Sequence, residues 1–452
     1  MRLMELTELT GGAMSKQNTL LRVLGGAFAV AVTVGATIGV GILRTPASIA
    51  AQLHNGGLIL GAWLLGGVYI LMASLSVAEL ATMLPQAGGF YVYTRRALGD
   101  GAGFVAGWVD WLTNCAGMAY LAVSMADFSA TLWPAAHGAP MAALFIIFFA
   151  LLHWRGTSIS GRAQEITCAL QACAFVVLIV ACFAFAGPPS SSTPQHVLTG
   201  NEASLWISLV IALRLIIGTY DGWYGAIYFS EEVKGQAQVL PRSMITGIMA
   251  VILVYILVNG GLLHVLPISV LAKSELPAAD AAKVIFGASG GAVVTFLALI
   301  SLPAVLNAAL LCASRIPLAM SRDGLFWGRA SYVSPRGTPL VSLALSTLVG
   351  IGLALSGTFE QLLVLAAVLD VLTYCSALIS LMVLRRREAE LPRPFTAKPY
   401  PAVTLVALTV GCAFLIAALM EDPRNSLKAL SIVAISYPGF YAARWFRAGR
   451  VV

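Results

Sequence analysis

Apolar residues in this chain run in long, nearly unbroken stretches, without the period of 2 or 3.6 that marks half-buried strands and surface helices. Twelve such stretches fall near 24–50, 57–82, 101–133, 138–154, 165–186, 204–230, 242–266, 288–320, 340–356, 360–384, 401–420 and 427–446. A helix of about 20 apolar residues crosses roughly 30 Å of hydrocarbon, so the pattern predicts an all-α polytopic membrane protein with twelve transmembrane helices. Two of these helices are interrupted. GATIGVGIL at 35–43 places glycines and β-branched residues where a buried helix should be strongest. GTYDGW at 218–223 puts two glycines and an acid at mid-depth in the sixth stretch. Glycines also let membrane helices pack closely, so spacing alone leaves the first interruption open to either reading. Two discontinuous helices, one opening each of two five-helix halves, point to an inverted-repeat transporter with its site at the bilayer midplane.

Composition agrees about the solvent, because the chain is 59% hydrophobic and 10% charged, against roughly 25% charged in a soluble domain. Its basic residues report orientation. With the N-terminus inside, 21 of the 27 Lys and Arg lie in the tail, alternate loops and C-terminus, five lie opposite, and Arg214 is within a span. Positive residues are retained inside, so both termini are expected in the cytoplasm and the chain in the cytoplasmic (inner, plasma) membrane. The net charge of +7 is then a signal of topology and of contact with anionic lipid, and no nucleic-acid partner is needed to explain it. The expected division is a cytoplasmic tail 1–23, a first repeat 24–186 (helices one to five), an extracytoplasmic linker 187–202 and a second repeat 203–384 (helices six to ten). A basic cytoplasmic loop 385–400 and two further helices in 401–452 complete it.

The same residues exclude several classes. All seven cysteines fall inside expected spans, so no disulfide framework is implied, and the outer loops offer no thiol anchor for an accessory subunit; none is expected. The first 20 residues carry no apolar leader, and the first span is expected to direct insertion. The five histidines lack metal-ligand spacing. No phosphate loop or nucleophile–base pair is present, so the expectation is a carrier without metal or cofactor, not an enzyme or an ATP-driven pump.

A backbone polar group at membrane depth needs a partner, so an unwound segment survives there where it lines a cavity. Amides at Val40, Gly41 and Ile42 would face an anion at the start of the second half-helix of span one. Carbonyls near Gly35 to Thr37, and near Ile217, Gly218 and Thr219, would attract an ammonium. Donors for a carboxylate beside acceptors for an amine describe an α-amino acid.

Six stretches carry a family resemblance. They are GATIGVGIL, SVAELATMLPQAGGFYVYTRRALG from Ser76, GWVDWL from Gly107, TYDGWYGAIYFSEEVKGQAQVLPRS from Thr219, LNAALLCASRIPLAMSRDGL from Leu306 and LRRREAELPRPFTAKPYP from Leu384. In this order they resemble the amino acid/polyamine/organocation superfamily, especially its L-type amino-acid permease branch. The resemblance implies a five-plus-five inverted repeat followed by two helices, with substrate between spans one and six. It implies carboxylate binding by the Gly39-Val40-Gly41 backbone and a role for Thr37 toward the amine. The chain departs from that pattern twice. Gly218 stands where relatives place an aromatic gate, leaving Tyr220, Trp223 or Tyr224 as substitutes. Gln171 stands where the branch often has a lysine that braces span one.

Ionisable groups within spans are costly unless paired, by roughly 2.5–3.5 kcal/mol or more. Asp221 is expected at the pocket edge or capping the unwound backbone. Asp370 is expected to meet a cationic side chain, carry a proton or pair with another helix. Arg214, two turns before Asp221, would meet an acidic substrate or neutralise Asp221 or Asp370. Glu231 and Glu232 are expected to close the cytoplasmic end with Arg315 and Arg322 as partners, whereas Glu79, Asp110 and Asp127 read as structural. The sequence thus predicts secondary active transport or exchange of L-amino acids, neutral or cationic; a polyamine or organic-cation carrier of the same fold is the alternative.

Overall fold

A computed structural model describes residues 19–134, 138–185, 202–356 and 359–448. Most of the expected N-terminal tail, nearly all of the 187–202 linker and the last four residues lie outside it. The described residues are almost entirely helical, with one isolated bridge pair, Leu24 with Val233, and no strand among them. In chain order the helices are α1 (Gly26–Thr37), α2 (Gly41–Leu53), α3 (Gly56–Met83), α4 (Phe90–Leu98), α5 (Asp100–Leu132), α6 (Gly138–Trp154), α7 (Thr157–Phe185) and α8 (Glu202–Thr219). They continue as α9 (Gln236–Val265), α10 (Pro277–Phe286), α11 (Gly290–Arg322), α12 (Leu340–Leu355), α13 (Phe359–Arg387), α14 (Ala402–Glu421) and α15 (Pro423–Ala448), with a four-residue turn, Ile268–Leu271, before α10.

Among the described residues seven helices are long and apolar enough to cross a membrane, and eight if the bent pair α1 and α2 counts as one. The expected spans near 138–154, 204–230 and 340–356 are shorter apolar helices: α6, the Leu205–Thr219 part of α8, and α12. The sixth is short for a sequence reason. Its helix ends at Thr219, where GTYDGW begins to unwind, and resumes as a single 3₁₀ turn, Gly225–Phe229. The last expected span, 427–446, lies within α15.

Apolar side chains exposed along single faces, such as Leu144, Phe148 and Leu151 on α6 and Ile166, Leu170 and Val177 on α7, suit a lipid solvent. Polar groups face inward. α5 and α11 cross the centre, α3 packs on α9, and α1 lies against α7, α9 and α11. α2 packs on α8, which brings the two interruptions side by side. Basic helix ends are linked by ion pairs, Arg95 with Asp323, Arg96 with Glu388, Arg315 with Glu232, Arg322 with Glu231 and Arg385 with Glu79, and this end of the helices is below called the basic face.

Candidate functional site

The first interruption is a 46° bend between α1 and α2. α1 stops at Thr37, whose hydroxyl turns back onto the Thr33 carbonyl at 2.7 Å, as Thr33 does onto Ala29 at 2.9 Å. Ile38, Gly39 and Val40 form the connection, and α2 starts at Gly41 with no side-chain cap. The Gly39 amide, expected to face an anion, instead donates to the Thr37 carbonyl, and the Leu43 amide donates to the Val40 carbonyl, each at 3.0 Å; the amides of Val40, Gly41 and Ile42 have no acceptor within the helix and remain available to a ligand or water. A Cβ on Gly39 or Gly218 would meet nothing within 4 Å, so both glycines border open space. Gly41 is held close, with its missing Cβ 3.0 Å from Thr219 Cγ2.

The carbonyls that end the first half-helices have protein donors. Tyr255 on α9 places its hydroxyl 2.9 Å from both the Thr37 and the Thr219 carbonyl oxygens. One hydroxyl has one proton, so the two carbonyls share it. Gln171 Nε2 donates to the Ile38 carbonyl at 2.6 Å and to the Ser301 carbonyl at 3.2 Å. Thr219 Oγ1 donates to the Leu215 carbonyl at 2.8 Å and lies 3.0 Å from Thr45 Oγ1, tying α8 to α2. Sequence reasoning missed Tyr255. The available signal was a mid-span tyrosine whose buried hydroxyl requires a partner.

Residues 220–224 turn through Gly222 at φ +94°. Tyr220 is fully buried, packs its ring tilted against Tyr255 at 4.7 Å and Trp63 at 5.9 Å, and donates to the Trp63 carbonyl at 3.2 Å. The chain thereby directs Tyr220 into packing between α3 and α9. Trp223 and Tyr224 instead join Tyr374 and Phe90, with neighbouring rings 5.0–5.6 Å apart. Tyr374 donates to Asp221 Oδ1, and Tyr228 donates to Asp110 Oδ1 at 2.6 Å. Asp370 on α13 lies within electrostatic reach of both Asp221 and Asp110. Three acids from α5, α13 and the second interruption thus border one aromatic cluster. Arg214 on α8 has its guanidinium 6.0 Å from the Phe414 ring of α14. Among the described residues no group of His, Cys, Asp or Glu has the arrangement of a metal site.

Ion pairs join the helices at the basic face. Arg315 grips Glu232 with two nitrogens, Nε to Oε1 and Nη2 to Oε2, each at 3.0 Å, and its guanidinium lies 5.0 Å from the Phe229 ring. Arg322 pairs with Glu231 at 2.8 Å, and Arg22 Nε donates to the Glu231 carbonyl at 3.3 Å. Leu24 and residues 232–234 exchange backbone bonds of 3.1 and 2.9 Å, which join the approach to α1 to the chain leaving the second interruption. Glu79, also buried, accepts from Arg385 and from the Ala397 amide at 2.8 Å, anchoring the loop after α13.

Known proteins are similar to this chain in sequence. Residues 24–441 match the family model described as amino acid permease. The serine/threonine exchanger SteT of Bacillus subtilis (strain 168) is 26% identical over 438 residues, covering 95% of this chain and 98% of that protein. The b(0,+)-type amino acid transporter 1 of Mus musculus is 24% identical over 430 residues, covering 92% of this chain and 85% of the relative. An uncharacterized transporter of Mycobacterium tuberculosis is 30% identical over 315 residues, 67% of each chain.

Proposed function

Because the chain belongs to the amino acid permease family of membrane transporters, we propose that it carries L-amino acids between its two broken helices by alternating access, as an exchanger or a gradient-driven carrier. The uncapped start of α2 beside open space is the observation that carries this reading. Its amides would hold the carboxylate, while the carbonyl cluster around Thr37 and Thr219 would take the ammonium in competition with Tyr255. Relatives named as a serine/threonine exchanger and as amino acid transporters support the substrate class.

The proposal includes twelve spans in two inverted five-helix repeats, with the basic face cytoplasmic. Packing supports the repeat. α5 contacts α13 as α11 contacts α7, and α1 contacts α9 as α8 contacts α3, which are the pairings an exchange of halves would produce. Closure by Arg315 and Glu232 then describes a state shut toward the cytoplasm. The chain would work in lipid without an accessory subunit. Gln171 would brace the first interruption by neutral hydrogen bonds where relatives place a charged lysine.

Side-chain preference follows from the second interruption. Asp110, Asp221 and Asp370 around Phe90, Trp223, Tyr224 and Tyr374 disfavour an anionic side chain and accommodate a neutral or cationic one. The same acids favour the alternative, a polyamine without a carboxylate. Counterflow of labelled alanine into proteoliposomes separates the two. Internal leucine and lysine should accelerate uptake, and glutamate and putrescine should not; acceleration by putrescine alone would replace the amino-acid reading.

Two substitutions extend the test. Asp370→Asn is expected to lower lysine-driven counterflow relative to leucine-driven counterflow, and an unchanged ratio would leave Asp370 a structural acid. Tyr255→Phe takes the hydroxyl donor from the Thr219 carbonyl, while Thr37 keeps the Gly39 amide, a loss of about 1–3 kcal/mol. Counterflow should fall roughly tenfold at equal protein; a wild-type rate would remove Tyr255 from the site.

A further inference from the structure

His153 at the end of α6, Gln164 on α7 and Asn307 on α11 lie outside the aromatic and acidic cluster, each no more than 1% exposed. Their hydrogen bonds can run in one direction only. The Ala31 carbonyl accepts from Gln164 Nε2 at 3.1 Å. A carbonyl cannot donate, so Gln164 must present Oε1 to Asn307. Asn307 Nδ2 donates to that oxygen at 2.7 Å and to the Ser160 carbonyl at 3.4 Å. Its own oxygen therefore faces His153 Nε2 at 2.7 Å, and that ring nitrogen carries the proton. The chain ends there, because Nδ1 of His153 is buried without a partner.

The acceptor at the other end belongs to the broken helix. Gln164 and Gln171 sit two turns apart on one face of α7, and their acceptors, Ala31 and Ile38, are spaced by the same two turns along α1 and its end. Gly35 lies between those acceptors. A Cβ there would stand 2.5 Å from Gln164 Nε2, so the glycine admits the amide against the helix backbone. This close approach gives Gly35 a task distinct from unwinding.

We infer that Gln164 and Gln171 form a two-point clamp on α1, with Gln171 the pivot beside the interruption and Gln164 the latch below it. His153 and Asn307 are positioning residues that hold the latch amide in its donating orientation. While the latch is engaged, α1 stays docked on α7 and α11 and the route to the basic face stays shut. Its release lets α1 swing about Ile38. The inference rests on the alternating-access reading given above.

A thiol reporter tests it in the full-length chain. Ser230, fully buried beside Phe229 at the basic face, is replaced by cysteine and reacted from that side of proteoliposomes with a membrane-impermeant maleimide, the chain without the reporter serving as background. Gln164→Leu and His153→Leu should each raise the labelling rate roughly three- to tenfold, the range of a single hydrogen bond between membrane helices. The double variant should exceed neither single one, and His153→Gln, which keeps a donor, should label like the parent. Unchanged labelling in Gln164→Leu, or equal labelling of His153→Leu and His153→Gln, overturns the latch. If Gln164→Leu does not insert, the two His153 variants decide alone. Saturating alanine supplies the control. A parent whose labelling ignores alanine fails the alternating-access reading itself, whereas a responsive parent with unaltered variants fails only the latch.

Discussion

Replacement of Gly222 by valine is expected to abolish amino acid uptake, and replacement by alanine to reduce it at least tenfold. The residue sits at φ +94°, where a side chain costs roughly 1–2 kcal/mol from backbone sterics alone. Its surroundings add to that. A Cβ at Gly222 would lie 2.4 Å from the Ala36 carbonyl oxygen, 2.7 Å from its carbon and 3.2 Å from the Thr37 amide nitrogen. These atoms are backbone and cannot rotate aside as a flexible side chain would. Relief requires the two interruptions to separate, which moves the Thr37 and Thr219 carbonyls off Tyr255 and shifts the start of α2. Overpacking of this kind typically costs about 1–3 kcal/mol more. Counterflow of labelled alanine, measured at equal reconstituted protein, checks the result. Uptake by Gly222→Ala within twofold of wild type would show that contact between the interruptions is dispensable, and the shared site with it.

The second large effect is expected at the basic face. Arg315 and Glu232 are a nearly fully buried pair, with side chains 2% and 0% exposed. Breaking such a pair by removing one partner leaves a charge without water or counterion, at a cost of about 3–5 kcal/mol. Arg315→Met should therefore lower the thermal denaturation midpoint in detergent sharply and reduce the yield of monodisperse protein. Replacing both partners, Arg315→Met with Glu232→Leu, should restore most of that stability, because no unpaired charge remains. The single and double variants together identify burial as the cause. Stability of Arg315→Met within about 1 kcal/mol of wild type would instead mark the pair as solvated, like an exposed surface bridge.

Much of this protein was legible from its residues because the bilayer imposes strong local rules. Long apolar runs must be helical, and glycine-rich breaks within them require partners for their backbone. Those rules located GATIGVGIL and GTYDGW, and their placement in two halves suggested a pocket between them. The residues Glu231, Glu232, Arg315 and Arg322 were also readable as partners, since charges of opposite sign at helix ends have few alternatives in a membrane. The structure pairs Glu232 with Arg315 and Glu231 with Arg322. Arg214 precedes Asp221 by two turns of sequence, but α8 unwinds between them at Thr219, so spacing alone does not fix their geometry; its guanidinium lies 6.0 Å from the Phe414 ring.

By itself the sequence determined the solvent, the helical class and the positions of both interruptions. Each follows from composition or from hydrogen-bond valence within a few consecutive residues. Only the tertiary structure decided which donor reaches which carbonyl. Tyr255 meets Thr37 and Thr219, and Gln164 meets Ala31, across separations of 218, 36 and 133 residues. A pairing over such distances depends on how helices approach and rotate, to within the roughly 3 Å reach of a hydrogen bond, and local sequence holds no record of that geometry.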